Sequence, residues 1–456
     1  MRKRILTFVA LVPFWLANAG DVHAEGPHKL SVRQHPALPE PISNARIDEI
    51  LRDMGTTLQG NCAVTFERFD DVATFGADEL SFSINSEADF NAFSPKPGSV
   101  DVVGEINWCG VLAPNIIGCA SRPGRILTVV RLSDAALEPL LWAHEFAHTS
   151  GSPHRGSAGT LMGPVLGSGN TSIDAAECNR LKAGSLAMET GVDASGIADG
   201  PPSGAAEPAG AGPTGTPEPV TQFAQRTWIH GTPYDLARQY TDNDVTPLAN
   251  LLRDETQRGA WRHGVATLGA IGGERSKAVL LDFLLKGPDS KIAAEEYIAK
   301  SNVPVALGWL VRRSIEENKK DQPTLELLIK MTNGDWWTQT SKIDWNTPVH
   351  KNRESLIISL VTKAVIGLSL TGAPEAEARL KEMLAQTTSS LSLPTFSAVE
   401  SAAVESMGFE AKSAVRTVSP TTKAAVSRSG GDKFLSGQIG ELQRVREKGL
   451  TRYYQR

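Results

Sequence analysis

Residues 144–154 read HEFAHTSGSPH and hold three of the nine histidines in the 456-residue chain. Residues four apart on a helix share a face, so His144 and His148 can present ring nitrogens to one point. Glu145 lies next to the first histidine, close enough to reach a water molecule held at that point. This spacing predicts a helix that carries two metal ligands and a general base.

The residues that follow extend the pattern. Gly151 falls where the helix must stop and the chain must turn sharply, which a residue tolerant of positive φ allows. His154 can then return as a third ligand. Three neutral imidazoles that leave one tetrahedral position for water are typical of catalytic rather than structural zinc.

The stretch resembles the metzincin zinc signature HExxHxxGxxH at every specified position. Residues 159–164, GTLMGP, look like the Met-turn of that family, and their Met-x-Pro ending is most similar to matrixins. The resemblance implies an α+β metzincin-like catalytic domain with one catalytic Zn²⁺. It assigns zinc binding to His144, His148 and His154, the general-base role to Glu145, and a hydrophobic floor that is not a ligand to Met162.

The chain departs from the family pattern at several positions. Arg155 follows the third histidine, where matrixins usually have Ser and astacins Glu. Pro164 stands where astacins and serralysins carry a tyrosine ligand, so we expect no protein ligand beyond the three histidines. No histidine lies between His35 and His144, so we expect no second, structural zinc like that of matrixins. Neither a calcium loop nor a cysteine-switch prodomain is recognisable. Core or surface roles are expected for the histidines of the second half, His230, His263 and His350.

The N-terminus has the features of a secretory signal peptide over residues 1–24. A basic Arg2-Lys3-Arg4 start precedes a short apolar run, and small residues permit cleavage after Ala19 or Ala24. An uncleaved anchor is the alternative, but the run is too short for a stable span. We expect an exported protein, periplasmic or extracellular, without stable membrane insertion after cleavage and with no other apolar run long enough to span.

Four cysteines in an exported chain suggest two disulfides. Three pairings are possible, and free thiols are the alternative. We favour Cys109–Cys119, which closes a short loop containing glycines and a proline, and this leaves Cys62–Cys178.

Periodicity predicts one mixed domain over residues 43–190. Residues 43–58 predict a helix capped by Ser43, and apolar stretches at 64–69, 100–106 and 125–132 predict strands. Ser133 and Asp134 offer caps for the helix that carries the histidines, and residues 173–187 predict a last helix. The composition then changes to GPPSGAAEPAGAGPTGTPEPV, which predicts a linker over residues 191–220.

The remainder, residues 221–456, has helical periodicity with a weak internal repeat. Residues 248–285 predict two helices around Gly272-Gly273, and residues 359–384 repeat that arrangement. This resembles the HEAT-like repeats of all-α solenoids; an irregular helical domain is the alternative. The end of the chain, 411–456, holds ten Lys/Arg against three Asp/Glu, which indicates a solvated basic face; contact with an anionic surface is the alternative.

Together these features predict a zinc metalloendopeptidase. Zinc would activate a water molecule, Glu145 would take its proton, and a polypeptide substrate would lie extended beside an edge strand. The wall of the adjoining pocket is expected at residues 164–171. A net charge of −5 argues against nucleic-acid binding. The rival hypothesis is a non-proteolytic zinc scaffold whose HEAT-like surface binds a protein partner.

Overall fold

The computed structural model describes residues 27–58, 62–75, 82–92, 98–122, 124, 126–156, 159–189, 217–350, 352–388 and 431–454. The predicted signal peptide, most of the predicted linker and the first residues of the basic tail lie outside this part of the chain. The described residues form an α+β part followed by a helical part.

The α+β part contains two complete sheets, one strand of a third sheet and four helices. In chain order its elements are β1 (His28–Gln34), α1 (Asn44–Leu58), β2 (Phe66–Arg68), β3 (Ala73–Thr74), β4 (Ser83–Ile84), α2 (Glu87–Ala92), β5 (Ser99–Val103), β6 (Glu105–Trp108), β7 (Leu112–Ile116), β8 (Gly118–Ala120), β9 (Ile126–Val130), α3 (Glu138–Thr149), β10 (Val165–Leu166) and α4 (Ala175–Glu189).

The larger sheet has the order β2-β1-β5-β9-β8, with β3 also paired to β1. Strands β1, β2, β3, β5 and β9 are parallel, and β8 runs antiparallel to β9 at the edge. Strand β1 precedes the predicted domain start at residue 43, so the sheet begins earlier in the chain than expected. The predicted strand 100–106 is also divided: β5 joins this sheet, whereas β6 joins the second sheet, β4-β6-β7.

Helices α1 and α3 pack against the larger sheet. The predicted cap of α1 is confirmed, because the Ser43 hydroxyl accepts a hydrogen bond from the Arg46 amide at 3.2 Å. The predicted caps of α3 are wrong: its N-cap is Leu137, which makes no side-chain cap bond. Instead, the buried Glu138 carboxylate at the helix start pairs with Arg46 at 2.8 Å and with Arg131 at 2.7 Å. These ion pairs fix the start of the helix that carries the histidines.

The helical part follows residue 217. Its elements are α5 (Val220–Gln225), β11 (Thr227–Trp228), α6 (Tyr234–Ala237), α7 (Val245–Leu251), α8 (Arg258–Ile271), α9 (Gly273–Leu285), α10 (Ala294–Ser301), α11 (Val303–Glu316), α12 (Gln322–Met331), α13 (Arg353–Thr371), α14 (Pro374–Thr388) and α15 (Asp432–Tyr454).

Both predicted helix pairs are present. The turn between α8 and α9 uses Gly272 and Gly273 at φ 74° and 82°, and the turn between α13 and α14 uses Gly372 at φ 63°. Glycine adopts such angles readily because it has no Cβ atom. The chain between the two helix pairs contains a single π-helical turn, Trp336–Thr340.

One expectation for the helical part is wrong. Helix α13 has 19 residues and contains an 18-residue stretch with a mean hydropathy of 1.5, so by length and composition it could cross a membrane, although no such run was expected. In that stretch 83% of the residues are buried, which is typical of a helix in a protein core. The described part of the basic tail is the helix α15, which buries Phe434, Leu442 and Val445. Its basic residues Lys433, Arg446, Lys448 and Arg452 are exposed, as predicted for a solvated face.

Both predicted disulfides are confirmed. Cys62–Cys178 joins the chain after α1 to α4, and Cys109–Cys119 joins the end of β6 to the edge strand β8. The described cysteines include no free thiol. Two disulfides fit an oxidising, exported environment.

Candidate metal centre

Helix α3 brings His144, Glu145 and His148 to one place in the interior. Every residue of the helix is buried, and its hydrophobic side chains join the core beneath the sheet. The helix ends as the sequence predicts: the Gly151 amide donates to the His148 carbonyl at 2.8 Å, and Gly151 has φ 85°. The chain therefore reverses within one turn and returns to the histidines.

The three predicted ligands converge on one point. The Nε2 atom of His148 lies 3.0 Å from the Nε2 atoms of both His144 and His154, and the latter two are 3.3 Å apart. Four nitrogens around a tetrahedral zinc at 2.0–2.1 Å would be about 3.3–3.4 Å from one another. The spacing of the cluster therefore suits a metal ion of this size.

The hydrogen bonds of two rings favour a cation between them. Nδ1 of His144 lies 2.7 Å from the Leu161 carbonyl, and Nδ1 of His148 lies 2.8 Å from the Ser152 carbonyl. A carbonyl only accepts, so each Nδ1 carries the proton and each Nε2 presents a lone pair. Two lone pairs 3.0 Å apart repel each other unless a positive ion lies between them.

Burial keeps these rings in the neutral form that binds metals. It lowers the pKa of His144 to about 4, and it lowers the pKa values of His148 and His154 well below the usual range for histidine. Repulsion between the rings contributes to the shifts of His148 and His154.

A fourth histidine joins the cluster from the helical part. His230 follows β11, and its Nε2 lies 3.4 Å from that of His144. The ligand atoms of all four histidines lie within 4.8 Å of one another, so this four-histidine group can hold a metal ion. The structure therefore places a fourth histidine beside the three predicted ligands, where no further protein ligand was expected, and His230 does not lie apart from the site.

Two other histidines of the second half stay outside the cluster. His263 Nδ1 lies 2.8 Å from the Thr232 hydroxyl, and His350 Nε2 lies 2.6 Å from the Tyr297 hydroxyl. No local spacing distinguishes the sequence around His230 from theirs. Its role depends on the tertiary pairing of β11, and short-range patterns carry no information about that pairing.

Glu145 is fully buried beside the cluster. Neither carboxylate oxygen has a hydrogen-bond partner among the described residues, and Oε1 lies 3.8 Å from Nε2 of His230. Burial raises the pKa of this carboxyl well above its usual range. A Cβ atom on Gly118 would come within 2.2 Å of Oε1, so the carboxylate lies directly against the edge strand β8. A buried acid without a partner is costly, and a neighbouring cation or a bound water would compensate it.

The turn after His154 contacts the histidines through its backbone. The Leu161 carbonyl holds His144, and the Met162 carbonyl accepts from the Arg155 amide at 2.8 Å. Met162 is fully buried in the same apolar core as Phe146 and Leu161.

Arg155, at the position that departs from the family pattern, links this turn to α4. Its guanidinium lies 2.8 Å from the Glu177 carboxylate and 3.2 Å from that of Asp174. Glu177 is buried at the start of α4, the helix that Cys178 ties to the chain after α1. Arg155 therefore braces the loop that follows the third histidine.

No protein-family model matches the chain, and neither a curated protein nor a solved structure matches it. The functional argument therefore depends on the geometry of the site.

Proposed function

We propose that the protein is an exported, zinc-dependent endopeptidase of the metzincin type, linked to a HEAT-like helical module. The observation that carries the proposal is the buried, unpartnered carboxylate of Glu145 beside a cluster of neutral histidines that suits a tetrahedral ion. A structural metal site has no use for such a carboxylate, whereas a hydrolytic site needs a base there.

The chain's own groups account for binding and proton transfer. When bound, zinc would supply a Lewis acid that polarises a peptide carbonyl and acidifies water. His144, His148 and His154 would hold the ion, and the carbonyls of Leu161 and Ser152 fix the ring tautomers. Glu145 would accept a proton from the attacking water and deliver it to the leaving amine.

The substrate would be an extended polypeptide that lies along the edge strand β8, opposite the wall formed by residues 164–171. Backbone hydrogen bonds to the strand would provide affinity, and the wall would select the side chain next to the scissile bond. The HEAT-like module would contribute an interaction surface for a protein partner.

One observation favours a second candidate, a non-proteolytic zinc scaffold. His230 brings a fourth nitrogen to the cluster, and four protein ligands are typical of a structural zinc site. The two candidates differ in what they require of Glu145, because only the peptidase needs its carboxylate.

Metal analysis combined with peptide cleavage tests the proposal. We expect one zinc per chain and cleavage of a quenched-fluorescence peptide library that stops when a chelator removes the metal. Glu145→Gln should retain zinc and the fold but lose cleavage by about 10²–10⁴-fold, because the amide cannot accept the proton.

The matched control is Glu67→Gln, the same change at a half-exposed residue of β2, which should leave both properties unchanged. Cleavage by Glu145→Gln at the wild-type rate would contradict the general-base role. The scaffold would be favoured if the protein bound zinc but showed no cleavage that a chelator abolishes. This would have to hold for the wild type and for the His230 variant described below.

A further inference from the structure

We propose that residues 227–232 occupy the path of the peptide substrate and that His230 fills the position that the substrate would use at the metal. The resting site would then be latent. This inference rests on the proposed function, and it names the regulation of the same site.

The segment pairs with the end of β7 and with the residue that leads into β8, as an extended peptide would. The Ile117 amide, which lies between β7 and β8, donates to the Ile229 carbonyl at 2.8 Å, and Ile116, the last residue of β7, forms an antiparallel bridge with His230. Strands β7 and β8 are the outer strands of their sheets, and addition of a strand at an edge is a general mode of peptide recognition. Part of the chain itself thus uses the place that the peptidase would need for its substrate.

The opposite side of the segment faces the predicted pocket wall. The Ile229 amide donates to the Pro164 carbonyl at 3.0 Å, and β11 pairs antiparallel with β10, Val165 with Trp228. The segment therefore lies between the sheet edge and the wall, bonded on both sides through its backbone. A second peptide cannot form these bonds while the segment is present.

The side chain of His230 occupies the space between the proposed metal position and Glu145. Its Nε2 lies 3.4 Å from that of His144 and 3.8 Å from the carboxylate of Glu145. A scissile carbonyl and the attacking water would both have to lie between the metal position and Glu145. The ring of His230 takes that space and offers the metal a nitrogen instead.

Local packing keeps the segment in this position. Trp228 and Ile229 are almost completely buried, and Gly231 has φ 87°, with Pro114 so close that a Cβ atom would lie 2.5 Å from its carbonyl oxygen. Opening the segment would expose two large apolar side chains, so the closed arrangement is the resting one. A substrate would have to displace it.

Ligand binding to the cobalt-substituted protein tests latency without requiring activity. Co²⁺ reports a change of ligand through its visible absorption, and acetohydroxamate is a small probe for an open coordination position. We expect the wild type to bind acetohydroxamate at least about tenfold more weakly than His230→Ala, since only the open fraction can bind. Both proteins should hold one metal per chain, because three histidines remain.

Two further variants make the result interpretable. Thr227→Ala changes a partly exposed residue of the same strand and should behave as the wild type. His230→Asn keeps a polar group that is too short to reach the metal, and it replaces His230→Ala if thermal unfolding shows that the alanine variant is misfolded. We expect His230→Asn to bind the probe as His230→Ala does.

Cleavage then separates the latency from the proposed function. A gain of about tenfold or more in peptide cleavage by His230→Ala would support both. If His230→Ala bound the probe more tightly but cleaved no peptide, the result would support latency and contradict the peptidase proposal. Equal probe binding by wild type and variant, or loss of metal in the variant, would overturn the latency proposal.

Discussion

Glu145 can occupy its position only because residue 118 in the neighbouring strand has no side chain. A Cβ atom there would lie 2.2 Å from Oε1 and 2.7 Å from the carboxylate carbon, closer than real contacts allow. The requirement for glycine at this position therefore comes from the site and not from backbone conformation, because Gly118 is not among the described glycines at positive φ.

Gly118→Ala should displace the carboxylate while leaving the histidines in place. We expect metal content to stay unchanged and peptide cleavage to fall by about 10²-fold, as for a misplaced general base. Cleavage should be measured in the His230→Ala background as well, where the site is open. The control is Gly440→Ala on α15, where an added Cβ meets no atom within 4 Å. Loss of metal from Gly118→Ala would show that the glycine supports the ligands instead.

At the site, the sequence predicted the positions of some histidines but not of others. The spacing of His144, His148 and His154 determines their convergence, because one helix and one turn bring them together. His230 reaches the same point through a strand pairing between distant segments, and no periodicity specifies that pairing. Local chemistry was therefore predictable, whereas the contribution of the helical part was not.

At the level of elements, an ion-pair cluster joins α14 to α15. Glu377 lies 2.9 Å from Lys381 on its own helix and 2.6 Å from Arg446 on α15. Hydrogen bonding to Lys381 and then to Arg446 lowers the pKa of Glu377 to about 2. A carboxyl with a lowered pKa stabilises the fold above its unfolded pKa of about 4.3 and loses that contribution as pH falls toward 2.

Glu377→Gln should therefore destabilise the protein at pH 7 by about 1 kcal/mol, a modest value because the pair is partly solvated. At pH 2.5 the two proteins should differ much less, since the wild-type carboxyl is then losing its charge. Urea unfolding at both pH values measures this. Glu375→Gln, at a residue without an ion pair among the described residues, is the control. An equal difference at both pH values would contradict the linkage to Glu377.

The sequence predicted some helices and strands correctly and missed others. Helices α8, α9, α13 and α14 were predictable because long runs with helical periodicity meet at glycine turns. Strand β1 was not: its buried face alternates His28, Leu30, Val32 and Gln34, and only two of these are aliphatic. The start of α3 was misjudged because tertiary ion pairs to Glu138, rather than a local cap, fix that helix.

At the scale of the whole molecule, the two parts share one interior. A single apolar cluster includes Trp108 and Leu112 of the α+β part together with side chains from α8, α11, α13 and α15. Polar contacts cross the same boundary: the Leu112 amide donates to the Tyr453 hydroxyl at 2.8 Å, and the Lys363 ammonium lies 2.5 Å from the Glu105 carboxylate. The sequence predicted a tether between two units, and these contacts give the units a common core.

A cut in the linker should therefore leave the two parts bound to each other. We propose inserting a specific protease site between residues 200 and 210 and cutting the folded protein. Both disulfides lie on the N-terminal side of this site, so no covalent bond would join the fragments. The apolar cluster and the His230 contact should nevertheless keep them together, because separation would expose buried tryptophan, leucine and tyrosine side chains.

We expect the fragments to co-elute in size-exclusion chromatography with the metal retained. They should separate only in urea, which serves as the control for complete cutting. Elution of two independent folded fragments in native buffer would show that the units are merely tethered.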